Sequence, residues 1–272
     1  LEATQRTAGG RVSGRVPLAT DGKVGRFGWK GHTSSLGSFV ATACANELGL
    51  SVEGHKQGAP PPGNLSERLD LMEQALAAYG TEKDLTGGPG LDMTSKEVAA
   101  LTTFVRGLPA PAELTAQPRR DRGLELLKST GCESCHVQNV GPVKGLYSDL
   151  LLHDMGTQLA DAAGAYQTRG GAPMAAAAPT AAPDAQQVAE AGLAPDVGPT
   201  AASATEWRTP PLWGVRDSGP YLHDGRAGTL DEAIRHHGGE AEASLTAYQT
   251  LSITDQQAVV SFLESLVAPS GS

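Results

Sequence analysis

The chain has 272 residues, a formal net charge of −9 at pH 7 and only 4% aromatic residues. The acidic balance argues against nucleic acid or an anionic membrane surface as a partner, because binding phosphate needs clustered Lys and Arg. No apolar run reaches the roughly 18 residues of a membrane-spanning helix, so we expect no transmembrane segment. With so few large side chains to bury, we expect a large flat cofactor to help organise the interior.

Two segments predict helices that close similar units. The first, MTSKEVAALTTFVRGLPAP, begins with Thr94 and Glu97 in the spacing of a capping box and continues with apolar residues at helical spacing. The second, ITDQQAVVSFLESLVAP, has Thr254 and Gln257 in the corresponding places. Both end in Phe-x-x-x-Leu, which favours two similar domains in tandem.

A second matched pair supports the tandem arrangement. A tryptophan stands beside a basic residue in GRFGWKG, around Trp29, and in TEWRTPPLWGV, around Trp207. We therefore predict a first domain over residues 1–118 and a second over residues 119–268. The chain begins at Leu1 without an initiator Met or a signal peptide, so we expect a processed product that starts partway through its first domain.

The remaining patterns predict helices joined by long loops. SERLDLMEQALAAYG (66–80) and RRDRGLELLKSTG (119–131) have helical spacing, whereas alternating strand patterns are scarce. Residues 160–204 are rich in Ala, Pro and Gly and predict an extended, mobile insertion in the second domain. The expected fold class is all-α.

The motif GCESCH, at residues 131–136, contains two of the three cysteines of the chain. A redox-active dithiol would need a βαβ context that is absent here. A structural zinc site would need two more ligands, for which Cys44 and one histidine of the pair 236–237 are the candidates. The remaining alternative is covalent haem attachment, which uses this spacing with a histidine directly after the second cysteine.

Haem attachment is the chemistry that this motif favours most. Thiols three residues apart on a helical turn can reach the two vinyl groups at one porphyrin edge, and the next imidazole then lies beneath the iron. Cys132 and Cys135 would form the thioethers and His136 the proximal bond. The left-over Cys44 is expected to be a small buried apolar residue.

The sixth iron ligand determines what such a haem does. Iron held by His and Met has a higher potential than iron held by two histidines, and an open face can bind peroxide or oxygen. Several residues after the motif have suitable side chains: His153, Met155, Met174, Tyr221, His223, His236 and His237.

Six motifs together resemble the bacterial dihaem oxidoreductases, a family labelled peroxidases or thiol oxidoreductases and related to dihaem cytochrome c peroxidases and MauG-type enzymes. They are GRFGWKG, GCESCH, SDLLLHDMGTQLAD, EWRTPPLWGV, YLHDGRAGTLDEAI and HGGEA. The resemblance runs from Gly14 to Leu266. It implies two c-type haems, whereas this chain has one attachment motif. The attachment motif of the first haem is therefore expected before residue 1. The cytochrome c-like haem domain would then follow the remnant of a similar domain.

The resemblance also implies a distal ligand. In the related peroxidases this ligand lies on the helix after the Tyr-x-His-Asp-Gly motif, and His237 falls where those relatives have a Met or Tyr. His237 is the first choice, giving a haem with two histidine ligands, and Met155 is the alternative. His236 points about 100° away on a helix. The alternative is that His237 is not a ligand and instead serves as a cation at a helix C-terminus.

Three further residues are expected at the cofactor. His223 would be hydrogen-bonded to Asp224, and Arg226 would be free to pair with a haem propionate. An Asp-Gly turn is the alternative interpretation of that motif. Trp207 is also counted among the cofactor-binding residues, and Trp29 is a candidate for a position between two haems.

The expected function is electron transfer through a covalent haem c, as the relay part of a peroxidase-like dihaem oxidoreductase. Haem c is attached outside the cytoplasm, so we expect a periplasmic or otherwise extracytoplasmic protein with a redox partner protein. The related peroxidases also bind calcium between their domains, so calcium is a second candidate cofactor, but no residue set here is assigned to it. A plain mono-haem cytochrome and a zinc-stabilised interaction module remain alternatives.

Overall fold

A computed structural model describes residues 13–19, 21–55, 91–160 and 202–269. The helix predicted over residues 66–80 lies outside these ranges, as does most of the insertion predicted over residues 160–204. Within the described ranges no helix is long and apolar enough to cross a membrane.

The described part of the chain is mostly helical. Its α-helices are α1 (Leu36–Asn46), α2 (Ser95–Arg106), α3 (Arg120–Ser129), α4 (Leu230–Arg235), α5 (Glu242–Gln249) and α6 (Ile253–Glu264). Single 3₁₀ turns lie at Cys132–Ser134, Thr157–Leu159, Val215–Asp217 and Gly239–Ala241. Four short strands are also present: β1 (Ala112–Glu113), β2 (Leu152–Asp154), β3 (Glu206–Arg208) and β4 (Leu266–Val267).

The four strands form two antiparallel pairs, so the all-α expectation is confirmed only in part. Strand β1 pairs with β4, and β2 pairs with β3 in the register that places Leu152 opposite Arg208 and His153 opposite Trp207. Strands of two or three residues are too short for an alternating pattern to stand out in the sequence. Their partners come from distant parts of the chain.

Of the two N-caps that the capping-box spacing predicts, the one at Thr94 is confirmed. Thr94 and Thr229 both form capping boxes, with Glu97 and Glu232 as the third helical residues. Helix α6 instead begins after Ser252, whose hydroxyl accepts a hydrogen bond from the Asp255 N–H. The expected cap at Thr254 is therefore wrong by two residues, because both residues are good caps and the hydrophobic pattern does not choose between them.

The chain divides into two compact units, one with residues 1–32, 108–161 and 200–272 and the other with residues 33–107 and 162–199. This division does not follow the boundary predicted near residue 118. Residues 13–32 belong with the GCESCH segment, where Arg15 makes backbone hydrogen bonds with Leu152 in both directions. Such a return of the chain across more than a hundred residues leaves no local sequence pattern.

The core of the first unit forms where α3 crosses α6. Leu127, Phe262 and Leu263 are buried there together with Tyr147, whose ring meets Phe262 edge-on at 5.3 Å. Gly123 makes the crossing close, since a Cβ at that position would lie 1.9 Å from the Ala258 carbonyl oxygen. Helix α3 runs directly into GCESCH, so this crossing sets the position of the motif.

The second unit has its own apolar cluster between α1 and α2. Its buried members are Val40, Ala41, Cys44, Ala45 and Val52. Cys44 is only 4% exposed, which confirms the expectation that it is a small buried apolar residue.

Candidate functional site

The first unit contains a mostly apolar pocket of about 450 Å³. All three reactive side chains of GCESCH line it, namely Cys132, Cys135 and His136. His237 and Trp207 also line it, although they lie far from the motif in the sequence. The size is that of a typical pocket for a small molecule or cofactor.

The chain turns sharply just before the two cysteines. Gly131 has a φ of +86°, a left-handed conformation that an L side chain rarely adopts, and Thr130 caps the preceding helix α3. Cys132–Ser134 then form one 3₁₀ turn, and the His136 N–H donates to the Cys132 carbonyl at 3.0 Å. The turn brings both thiols and the imidazole to one wall of the pocket, and the thiols form no disulfide.

His237 owes its position to a short capped helix. The Thr229 hydroxyl and the Glu232 carboxylate close the capping box of α4, whose C-cap is His236. The N–H of His237 then donates to the Ile234 carbonyl at 3.1 Å. The capped turn holds His237 at the pocket, whereas His236 is not among the lining residues.

The imidazoles of His136 and His237 lie opposite each other. Their ring centroids are 6.4 Å apart and their planes differ by 53°. Each Nδ1 is hydrogen-bonded to a backbone carbonyl, that of Tyr147 at 2.9 Å and that of Ala233 at 2.8 Å. Because a carbonyl only accepts, each Nδ1 carries the proton and each Nε2 keeps a free lone pair.

Both imidazoles are neutral at physiological pH. Burial lowers the pKa of His136 to about 4, against the opposing effect of its hydrogen bond to Tyr147. Burial also lowers the pKa of His237. A neutral imidazole with a free nitrogen is the form that binds a metal.

His153, another candidate ligand, is engaged elsewhere. Its Nε2 lies 2.9 Å from Asp149 and its Nδ1 lies 3.0 Å from Glu240, so carboxylates occupy both nitrogens. Burial alone would lower the pKa of His153, but hydrogen bonds to Asp149 and Cys135 raise it to about 11. If Cys135 formed a thioether, its sulfur would no longer contribute to the raised pKa of His153. The two carboxylates would still favour the protonated ring.

The network around His153 depends on a close approach between distant segments. A Cβ at Gly239, which has a φ of +56°, would lie 2.3 Å from the Asp154 carbonyl oxygen of β2. The glycine therefore lets Glu240 reach His153, and Glu240 also accepts from the N–H and the hydroxyl of Ser13 at 2.8 Å. Glu240 stands in the motif HGGEA, but the sequence alone did not identify its role.

Met155 lines the pocket, as the alternative ligand should. Its backbone N–H donates to the Thr205 carbonyl at 2.9 Å, next to the β2–β3 pair.

The one cluster with metal-ligand spacing among the described residues joins Cys135, Asp149 and His153 within 4.8 Å. A thiol and an imidazole do not suit calcium, which prefers oxygen ligands throughout.

Trp207 and His223 stack at the pocket wall. Their ring centroids are 3.8 Å apart with an interplanar angle of 20°, and the Trp207 indole N–H donates to the Leu159 carbonyl. The ammonium of Lys30 lies 3.5 Å above the same indole and donates to three backbone carbonyls. The expected hydrogen bond between His223 and Asp224 is not the main contact, since those groups are 3.9 Å apart.

Arg226 is already paired within the protein. Its guanidinium forms an ion pair with Asp224 at 2.5 Å and donates to the Gln158 carbonyl at 2.6 Å. It is also absent from the residues that line the pocket, whereas Trp29 is among them. The prediction that Arg226 is free for a haem propionate does not match this arrangement, because the adjacent carboxylate has already paired it.

The donor set fits a haem with two axial imidazoles. Two imidazoles on opposite faces of one metal have centroids about 6 Å apart, from two metal–nitrogen bonds of about 2 Å and the distance from each nitrogen to its ring centre. The observed 6.4 Å agrees with this. Both thiols lie on the same pocket as the two rings, and the backbone hydrogen bonds at each Nδ1 are those expected behind metal-bound histidines.

Residues 188–266 match the model of the family described as "Di-haem oxidoreductase, putative peroxidase". Among solved structures, hydrazine synthase of Kuenenia stuttgartiensis is 19% identical with a TM-score of 0.41, covering 76% of this chain and 68% of that chain. A MauG-like protein associated with microbial copper homeostasis is 20% identical with a TM-score of 0.41, covering 99% of this chain and 83% of that chain. No curated protein matches.

The family match covers the segment that contributes Trp207, His223 and His237 to the pocket, while GCESCH lies ahead of it. Over residues 188–266 this chain is therefore similar to the di-haem oxidoreductase family.

Proposed function

We propose that this chain is a c-type cytochrome that transfers electrons through one covalently attached haem. Cys132 and Cys135 would form the thioethers, and His136 and His237 would bind the iron from opposite faces. The observation that carries the proposal is the pair of opposed imidazoles, 6.4 Å apart, beside two unpaired thiols. A bound haem supplies a centre that takes up and releases one electron.

The two histidines prepare this centre for electron transfer. Their Nδ1 hydrogen bonds to the carbonyls of Tyr147 and Ala233 hold each ring in one orientation and one tautomer. If His136 and His237 both held the iron, no position would be left on it for peroxide, which would favour a relay over a reactive centre. Two histidines also favour a lower potential than a histidine and a methionine would.

The pocket wall excludes water from the same space. Apolar side chains from α3, α4 and α6 line it, among them Leu127, Leu230, Ile234 and Leu263. Little polar surface is left to reorganise when the charge at the centre changes, and a low-dielectric wall of this kind helps to set a redox potential.

The match of residues 188–266 to the di-haem family model supports a role as the relay part of a peroxidase-like oxidoreductase. In that arrangement this haem would pass electrons between a partner protein and a reactive haem, outside the cytoplasm. A second Cys-x-x-Cys-His ahead of Leu1 in the full reading frame would support the arrangement. A reading frame without one would favour the alternative, a mono-haem cytochrome.

The zinc-module alternative has less support from the contacts. It needs Cys44 as a ligand, but Cys44 packs among Val40, Ala41 and Ala45 in the second unit and does not line the pocket.

The decisive experiment is spectroscopy of the chain produced with haem c maturation. We expect a pyridine haemochrome spectrum of haem c and a low-spin, six-coordinate ferric spectrum. His237→Ala should lose the low-spin signal, whereas Met155→Leu and the control His236→Ala should retain it. Loss of the signal in Met155→Leu alone would instead identify Met155 as the ligand, and absence of haem c would refute the proposal.

A further inference from the structure

Arg208 is a second arginine near the pocket, and its contact partners are different from those of Arg226. It is the last residue of β3, lies opposite Leu152 of β2, and lines the pocket. Its backbone N–H donates to the Trp29 carbonyl and its Nε to the Gly28 carbonyl, both at 2.9 Å. The strand register and these two bonds hold the guanidinium in one place.

The charge of Arg208 has no counter-ion among the described residues. Other arginines of the same unit do have one: Arg15 lies 2.6 Å from Glu206, Arg226 lies 2.5 Å from Asp224, and Arg235 lies 2.7 Å from Asp231. For Arg208 the described residues provide a backbone carbonyl but no carboxylate within ion-pair distance.

The group behind Arg208 cannot neutralise it either. His32 packs against Gly28, where a Cβ would lie 2.3 Å from the imidazole. Burial, followed by the charge of Arg208, lowers the pKa of His32, so the ring is neutral at physiological pH. Its Nδ1 is buried and has no hydrogen-bond partner in the described part of the chain.

An uncompensated charge at this apolar wall is costly. Burial lowers the pKa of Arg208 to about 10, so the side chain stays protonated at pH 7. Arg208 is partly buried, so its charge loses hydration without gaining a partner, and an anion from outside the protein would compensate for that loss. A guanidinium presents a planar fork that matches a carboxylate through two parallel hydrogen bonds.

We infer that Arg208 binds a propionate carboxylate of the haem, the partnership that the sequence assigned to Arg226. The inference rests on the proposed function, because the haem is the group that would bring a carboxylate into this pocket. The Arg208 guanidinium remains protonated, donates to the carboxylate oxygens and keeps that carboxylate ionised. Arg208 is thus a cofactor-positioning residue on β3, ahead of the prolines at 210 and 211.

The test compares four variants of the haem-loaded chain: Arg208→Met, Arg208→Lys, Arg226→Met and the control Arg216→Met. Arg216 is ion-paired with Asp217 and does not line the pocket. The readouts are haem content, the propionate bending band in the resonance Raman spectrum, and the midpoint potential.

For Arg208→Met we expect a shifted propionate band and a lower midpoint potential, because an unpaired carboxylate favours the ferric iron. Arg208→Lys keeps the charge but loses the fork, so its band should lie between those of Met and wild type. Both readouts should stay at their wild-type values in Arg216→Met and Arg226→Met. Should Arg208→Met fail to fold, the band of Arg208→Lys decides the question.

Three results would overturn the inference while leaving the proposed function intact. One is a normal band and potential in both Arg208 variants with full haem content. Another is a shift in Arg226→Met and not in the Arg208 variants. The third is a spectrum that changes on addition of formate or chloride in the wild type but not in Arg208→Met. That result would indicate that Arg208 forms a site for a free anion. A wild-type chain without haem c would overturn both proposals.

Discussion

Gly123→Ala tests the helix crossing that carries the cysteine motif. The added Cβ would lie 1.9 Å from the Ala258 carbonyl oxygen and 2.7 Å from the Cβ of Phe262, whereas ordinary contacts begin at 3.4 Å. Helices α3 and α6 would have to separate by roughly 1.5 Å to admit it, in a core packed without spare volume.

The expected cost follows from that clash. Overpacking a core costs about 1–3 kcal/mol, and this clash with backbone belongs at the upper end or above. The better helix propensity of Ala offsets about 1 kcal/mol. A net loss of about 2 kcal/mol corresponds to a fall in Tm of about 4–8 °C for a domain of this size.

The assay is thermal unfolding of the haem-loaded chain, followed by circular dichroism. Gly37→Ala is the matched control, because Gly37 lies in α1 and a Cβ there meets nothing closer than Thr102 Oγ1 at 3.9 Å. We expect this control to leave Tm unchanged or to raise it, as Ala usually does in place of Gly at a helix position where its Cβ meets no clash. A Tm for Gly123→Ala equal to or above that of wild type would refute the close crossing.

Three further predictions concern charges and hydrogen bonds around the pocket. Tyr248→Phe removes a 2.5 Å hydrogen bond from a buried phenol to Asp231. We expect the free energy of unfolding to fall by about 1.5–3 kcal/mol with the haem spectrum unchanged. An unaltered Tm would contradict this. The hydrogen bond from Arg235 holds the pKa of Asp231 below its usual value, so its stabilisation is present above the unfolded pKa of about 3.9 and disappears as pH falls through the folded pKa. The difference in Tm between wild type and Asp231→Asn should therefore shrink from pH 5 to pH 2, and a constant difference would argue against the pairing. Lys30→Met leaves three carbonyls without their donor and should cost about 2–4 kcal/mol, whereas Lys23→Met, at an exposed ion pair, should change stability by less than about 1 kcal/mol.

Sequence patterns served best where the interactions are local. The helix leading into GCESCH was predicted over residues 119–131 and is present as Arg120–Ser129. The capping box of Thr94 and Glu97 was likewise predicted and is present at the start of α2. These features depend on groups within a few residues of each other, so the order of residue types is enough to specify them.

Predictions about charged side chains were less successful. Arg226 was expected to be free, but Asp224 two residues earlier pairs with it. Arg208 was not singled out, although it lines the pocket without a carboxylate partner among the described residues. Both arginines stand in family motifs, and only the three-dimensional surroundings distinguish a paired guanidinium from one that faces a cofactor.

The chemistry of one pocket wall could be predicted from the residue order alone, because the two thiols and the imidazole of GCESCH lie within a single turn of chain whatever the rest of the fold does. The sequence also named His237 as a candidate through the family resemblance. The packing of distant elements was needed to establish that His237 faces His136, that His153 lies between Asp149 and Glu240, and that residues 13–32 belong to this unit. Those contacts join residues up to 227 positions apart, and a pairing over such a distance depends on how whole elements pack.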